Sequence, residues 1–145
     1  MKEVHIYLYS TVKSCRGGNG AYTYILETYT SKGDATISKT ENVENVTTHK
    51  AMLLALKAAL KRIRQTSHLV IYTDSNYMAS NVRGSLTKWK KNGWKTARGE
   101  PVKHLEEWQE IERLIKPHSF EFVVNTKHSY YSWMKDESEK AAGCI

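Results

Sequence analysis

The period of the hydrophobic pattern changes once along this chain, and that change constrains the fold more than any other feature. Before residue 41 apolar side chains recur at every second position. Val4, Ile6 and Leu8 stand on one side of the run Val4–Ser10, and His5, Tyr7 and Tyr9 on the other, which predicts a strand with both faces largely covered. Ala21–Thr30 and Ala35–Thr40 read as two further strands joined at Ser31-Lys32-Gly33-Asp34, a hairpin signal. After the polar segment Glu41–Val46 the pattern turns helical: in THKAMLLALKAALKRIR, Met52, Leu56, Ala59, Leu60 and Ile63 recur at helical spacings, Thr47 or Thr48 can cap the start, and cations crowd the end. The remainder predicts a strand at Leu69–Thr73, a short helix from Asn76 to Val82 broken at Gly84, another turn or two through Trp89, and a basic loop over Lys90–Glu100. A helix opened by Pro101 and closed by Pro117, a strand at Phe120–Asn125 and a last helix at Trp133–Ala142 complete the chain. Hairpin-linked strands followed by helix-linked strands specify an α/β fold, a five-stranded mixed sheet flanked by helices. No repeat or linker divides residues 1–145, so a single domain is expected.

Within this frame Asp74 stands out. An apolar run of β-branched and aromatic residues (Leu69, Val70, Ile71, Tyr72) delivers it to the C-terminal end of a strand, where open sheets place ligands and metals. Aspartate at that position also serves as a helix N-cap, and the local pattern leaves both readings open. The glycine-rich segment Ser14–Gly20 lacks the Lys-Ser/Thr ending of a P-loop and opens onto a strand, so a nucleotide-cradling loop is excluded.

Charge is the next constraint. Of a net charge of +7, nearly all lies between Arg83 and Lys103, where seven basic residues (Arg83, Lys88, Lys90, Lys91, Lys95, Arg98, Lys103) face one acid, Glu100; the rest of the chain holds fifteen basic and fourteen acidic residues. Trp89 and Trp94 interleave with these cations. Such focusing suits a polyanion, because each neutralised phosphate releases a counterion. No apolar run approaches the length of a membrane span. MKEVHIYLYS alternates like a strand and lacks the apolar core of a signal peptide, so a cytoplasmic monomer without membrane contact is the expectation. Cys15 and Cys144 lack metal-site spacing and read as free thiols.

Three stretches together carry a family resemblance: VHIYLYS before a glycine-rich loop, Ile71-Tyr72-Thr73-Asp74-Ser75-Asn76-Tyr77, and KKNGWKTARGEPVKHLEEWQ, with His128 preceding a C-terminal helix that ends in Ala141-Ala142. From Glu3 to Ala142 the chain resembles the type 1 ribonucleases H. The resemblance implies a ribonuclease H-like fold and, in the family, four carboxylates that hold two Mg²⁺ ions and cleave the RNA strand of an RNA/DNA hybrid.

Carried over by position, that site is incomplete. The strand-one aspartate falls on Tyr9, and the glutamate of the first helix falls on Met52. Asp74 matches the third carboxylate. The fourth falls on Asp136, from the Asp-Glu-x-x-x-Ala-Ala pattern, or on Ser138 by a gapless count from His128. A phenol with an ordinary pKa near 10 is a poor ligand at neutral pH, and a thioether suits hard Mg²⁺ badly. The expectation is therefore at most one weakly bound Mg²⁺ or Mn²⁺ on Asp74 and Asp136, with Tyr9 filling the vacated pocket and its hydroxyl on Asp74. His128 matches the family's loop histidine. By the same resemblance Thr48, His49 and Asn76 contact the minor groove, and Lys88, Trp89, Lys90, Lys91, Trp94 and Lys95 form the basic arm. Three functions are compatible: a binder of RNA/DNA hybrid or double-stranded RNA with cleavage lost or strongly impaired, an active metal-dependent ribonuclease H, and a protein-interaction scaffold.

Overall fold

The structure, a computed structural model, describes residues 2–143, so Cys144 lies outside the described residues. Five strands form one sheet: β1 (Lys2–Ser10), β2 (Gly18–Thr30), β3 (Gly33–Val46), β4 (Ser67–Thr73) and β5 (Ser119–Val124), in the order β3-β2-β1-β4-β5. The hairpin strands pair antiparallel, whereas β1, β4 and β5 run parallel to one another. This is the mixed sheet that the change of period requires. β3 is longer than the alternation alone suggests. Glu41–Val46 is polar because one side of an outer strand faces solvent, so its alternation is not hydrophobic.

Helices α1 (Thr48–Leu60), α2 (Asn76–Ser80), α3 (Leu86–Lys91), α4 (Leu105–Ile115) and α5 (Tyr131–Gly143) complete the fold. Thr47 caps α1, its side chain accepting from the Lys50 N–H at 3.1 Å. The Ala, Leu and Lys content of α1 favours a helix throughout, and its buried side runs from Ala51 and Leu53 to Leu60. The neighbouring Thr48 hydroxyl donates to the Val12 carbonyl and accepts from the Ser14 N–H, pinning α1 to the loop after β1. Gly20 is required beside that loop, since a Cβ there would lie 2.4 Å from Thr11 Oγ1.

Three expectations about helix ends are corrected. Gly84 breaks nothing, because Asn81–Ser85 forms a π-helical turn that joins α2 to α3. Pro101 does not open α4; it bridges to Lys95 in a small hairpin, and α4 begins at Leu105. The closing helix also starts two residues before Trp133, at Tyr131.

Alternation along β1 assigns the two faces of the sheet. Val4, Ile6 and Leu8 enter the main core with Tyr24, Leu26, Leu53, Leu56, Leu69, Ile71 and the α4 residues Trp108, Ile111 and Ile115. Tyr7 and Tyr9 enter a smaller cluster with Ile25 and Met134 beneath α5. Ser138 Oγ, fully buried, lies 2.6 Å from Thr23 Oγ1 and fastens α5 to β2.

Candidate functional site

The parallel pairing of β1 with β4 sets Tyr7 beside Tyr72, and continuing that register by two residues brings Tyr9 level with Asp74. Thr73, the last residue of β4, accepts from the Asn125 N–H at 3.0 Å, which draws the segment after β5 to the same end of the sheet. A cavity of about 230 Å³ opens there, lined by Tyr9, Asp74, Asn125, Lys127, His128 and Tyr131, among others.

Ser75, not Asp74, caps α2: its hydroxyl accepts from the Met78 N–H at 3.1 Å. This removes the capping explanation for Asp74. Its exposed carboxylate has no hydrogen bond or ion pair with any other of the described residues, and it faces the cavity free. Tyr9 does not bond to it, contrary to the expectation; the Tyr9 ring instead packs edge-on against Tyr131 at 5.7 Å. Burial pushes the Tyr9 phenol above its ordinary value, with Tyr131, Glu139 and Asp74 adding to the rise, so Tyr9 is a neutral phenol at neutral pH. Glu139 is the α5 acid whose charge reaches Tyr9. Asp136 is exposed, two residues from the buried positions Met134 and Ser138 and hence on the other side of the helix, and it is not among the residues lining the cavity. Met52 is 3% exposed and belongs to the main core rather than to the cavity wall.

His128 lines the cavity, but it is also packed into an aromatic stack. Its ring centroid lies 4.6 Å from that of Tyr7 and 5.6 Å from that of Tyr72, and Nδ1 accepts from the Tyr130 N–H. Burial lowers its pKa, so the neutral imidazole is favoured. Tyr130 is in turn anchored to Glu27, a buried carboxylate that also accepts from the hydroxyls of Tyr7 at 3.1 Å and Tyr29 at 2.9 Å. Sequence reading missed this cluster and missed Tyr131 and Lys127. The one available signal was Glu27 itself, a lone charge inside the otherwise uncharged run Ala21–Thr30.

The donor set does not fit a two-ion centre. Among the described residues no three His, Cys, Asp or Glu side chains are placed to share a metal ion. Of the residues lining this cavity, Asp74 alone is a carboxylate. Hard divalent cations at close quarters need several oxygen anions, which a neutral phenol and a core thioether do not supply.

The arm that follows is built to hold its shape. The Trp94 N–H donates to the Trp89 carbonyl at 2.7 Å, and Val102 N–H donates to the Trp94 carbonyl. The Lys95–Pro101 bridge closes a hairpin whose tip is held by Thr96 N–H on Glu100 O and Gly99 N–H on Thr96 O. Trp89 and Trp94 are half-buried against the core, with Trp89 at 5.6 Å from Trp108, so they are the arm's anchors. Lys88, Lys91, Lys95, Arg98 and Lys103 are exposed. Lys90 is instead tied to Glu112 of α4 at 2.9 Å. Beside the arm, exposed His49 stacks on Tyr77 at 3.9 Å, and Asn76 is exposed at the start of α2.

The family model for RNase H matches residues 3–132. A ribonuclease H of Acetivibrio thermocellus is 34% identical over 132 residues, covering 89% of this chain and 85% of its own length. One from a Bradyrhizobium species is 32% identical over 120 residues, covering 81% and 75%. Among solved structures, LC9-RNase H1, a type 1 RNase H with the type 2 active-site motif, superposes with a TM-score of 0.80 at 19% identity, over 99% of this chain and 74% of that one. A foamy viral protease-reverse transcriptase solved in complex with dsDNA gives 0.77 at 14% identity, over 99% and 95%.

Proposed function

The chain belongs to the ribonuclease H family, and we propose that it is a member that grips RNA/DNA hybrid, or double-stranded RNA, while cleavage is lost or strongly impaired. The observation that carries this reading is the composition of the cavity at the end of β4. Asp74 stands there as a single carboxylate beside the neutral phenol of Tyr9, while Met52 is sealed in the core. The arm supports the binding half of the proposal: five exposed cations on a hydrogen-bonded hairpin and helix form a fixed, sequence-indifferent contact for phosphates. In an A-form duplex the wide minor groove presents 2′-hydroxyls to polar groups, and Asn76 and the His49–Tyr77 stack are the groups beside the arm that suit it.

Family membership itself favours a second reading, an active hydrolase that works with one Mg²⁺ or Mn²⁺ on Asp74 and a substrate phosphate. A cleavage assay on end-labelled hybrid in each metal separates the two. The proposed outcome is tight binding without sustained turnover, and no further loss in Asp74→Asn. Turnover that disappears in Asp74→Asn overturns it. The paired change Tyr9→Asp with Met52→Glu restores two family carboxylates, and cleavage that appears only in the pair supports the assignment of both positions.

A further inference from the structure

At the opposite end of the sheet from Asp74, where parallel β1 and β4 begin, lies a second cavity of about 300 Å³. Its floor is apolar, made by Val4, Leu26, Ile37 and Ile63, and its rim is basic, carrying Lys2, Arg62 and Arg64. No aspartate or glutamate lines it. Among the described residues none of the three rim cations has an ion pair. Arg62 Nη1 donates to the Tyr24 hydroxyl at 3.0 Å, which orients the guanidinium and leaves donors unused.

Cations just beyond the C-terminus of α1 also complement the helix dipole, and that accounts for their sign. It does not account for the floor. Ile37 is 45% exposed, one of the few large apolar side chains that the described residues leave open to solvent. Ile37 and Ala35, both lining the cavity, belong to β3, whose outer edge has no partner in the sheet. An apolar floor, an unneutralised basic rim and a free strand edge are complementary to one kind of ligand. A nucleic-acid duplex satisfies the rim but keeps its bases stacked inside, so it leaves the aliphatic floor uncovered.

We propose that this cavity docks an extended acidic peptide segment of a partner protein. An aliphatic side chain of the segment fills the floor, flanking carboxylates meet Lys2, Arg62 and Arg64, and its main chain lies along the β3 edge. This site is separate from the hybrid-binding reading and stands without it.

The test is fluorescence anisotropy on the full chain with a short fluorescein-labelled peptide alternating aspartate and leucine. Saturable binding that weakens with salt is expected, and Arg64→Glu and Ile37→Glu are each expected to lower affinity about tenfold. Both positions are exposed, so an unchanged thermal melt verifies that the fold is intact. Four results overturn the proposal. One is an absence of saturation with the wild-type chain. The second is equal binding of a peptide alternating lysine and leucine, and the third is unchanged peptide binding in both folded variants. An oligonucleotide whose binding depends on Arg64 while the peptide's does not also overturns it.

Discussion

Neutralising the arm tests the binding proposal quantitatively, because the structure says which cations are available. Of the seven basic residues between Arg83 and Lys103, two are engaged within the protein. Arg83 donates to the Phe122 carbonyl and lies over the Phe122 ring, and Lys90 is paired with Glu112. That leaves Lys88, Lys91, Lys95, Arg98 and Lys103. If all five meet phosphates, log K falls against log salt with a slope of about −4.5, so affinity drops about 500-fold between about 50 and about 200 mM salt. Replacing Lys91, Lys95 and Arg98 together by Gln leaves two contacts, a slope of about −1.8 and a drop of only about twelvefold over the same range. Lys90→Gln, by contrast, leaves the slope close to that of the wild type. Fluorescence anisotropy of a labelled RNA/DNA hybrid across a salt series measures all three. A triple variant with the wild-type slope, or a Lys90→Gln variant that flattens it by about 0.9, the share of one phosphate contact, refutes the assignment of the arm as the phosphate grip.

Two further predictions concern the scaffold. Trp108 is fully buried with its indole N–H on the Tyr77 hydroxyl, so Trp108→Ala is expected to cost about 3–5 kcal/mol, and to lower Tm by on the order of 10 °C in a calorimetric scan. Glu27 gives a pH signature. Burial alone raises its pKa, but the hydroxyls of Tyr130, Tyr29 and Tyr7, helped by His5, outweigh burial and hold the folded carboxyl below its ordinary 4.5. A carboxyl depressed in the folded state contributes stability above its unfolded pKa and loses it as pH falls through the folded one. The stability margin of the wild type over Glu27→Gln, read from urea midpoints, is therefore expected to be full near neutral pH and to shrink in acid. On the alkaline side the Tyr29 and Tyr130 phenols, each pushed up to about 12 by the bond to Glu27, are expected to ionise nearer their ordinary value in Glu27→Gln by absorbance titration.

Much of the fold was legible because its causes are local. The alternation of β1, the capping threonine of α1, the hairpin at Ser31–Asp34 and the strand leading to Asp74 each follow from a few neighbouring residues. Errors arose where one local signal competed with another. Pro101 looked like a helix start until its bridge to Lys95 claimed it, and Gly84 looked like a break until a π-helical turn absorbed it. The same division holds for the site. Motif position singled out Asp74 and His128, and both line the cavity. For the fourth position the motif left Asp136 and Ser138 open; Asp136 is exposed and does not line the cavity, and Ser138 is buried against Thr23 of β2, because helix rotation rather than spacing decides which residue turns inward.

By itself, then, the sequence determined the order and type of the elements and the focusing of charge on one arm. These are properties of single residues and short spacings. Tertiary structure alone decided that Lys90 is paired with Glu112, that Trp89 and Trp94 anchor rather than project, and that Glu27 gathers three tyrosines around His128's loop. Each of those depends on partners far apart in the chain, so pairing, burial and side-chain direction exist only once the sheet has brought them together.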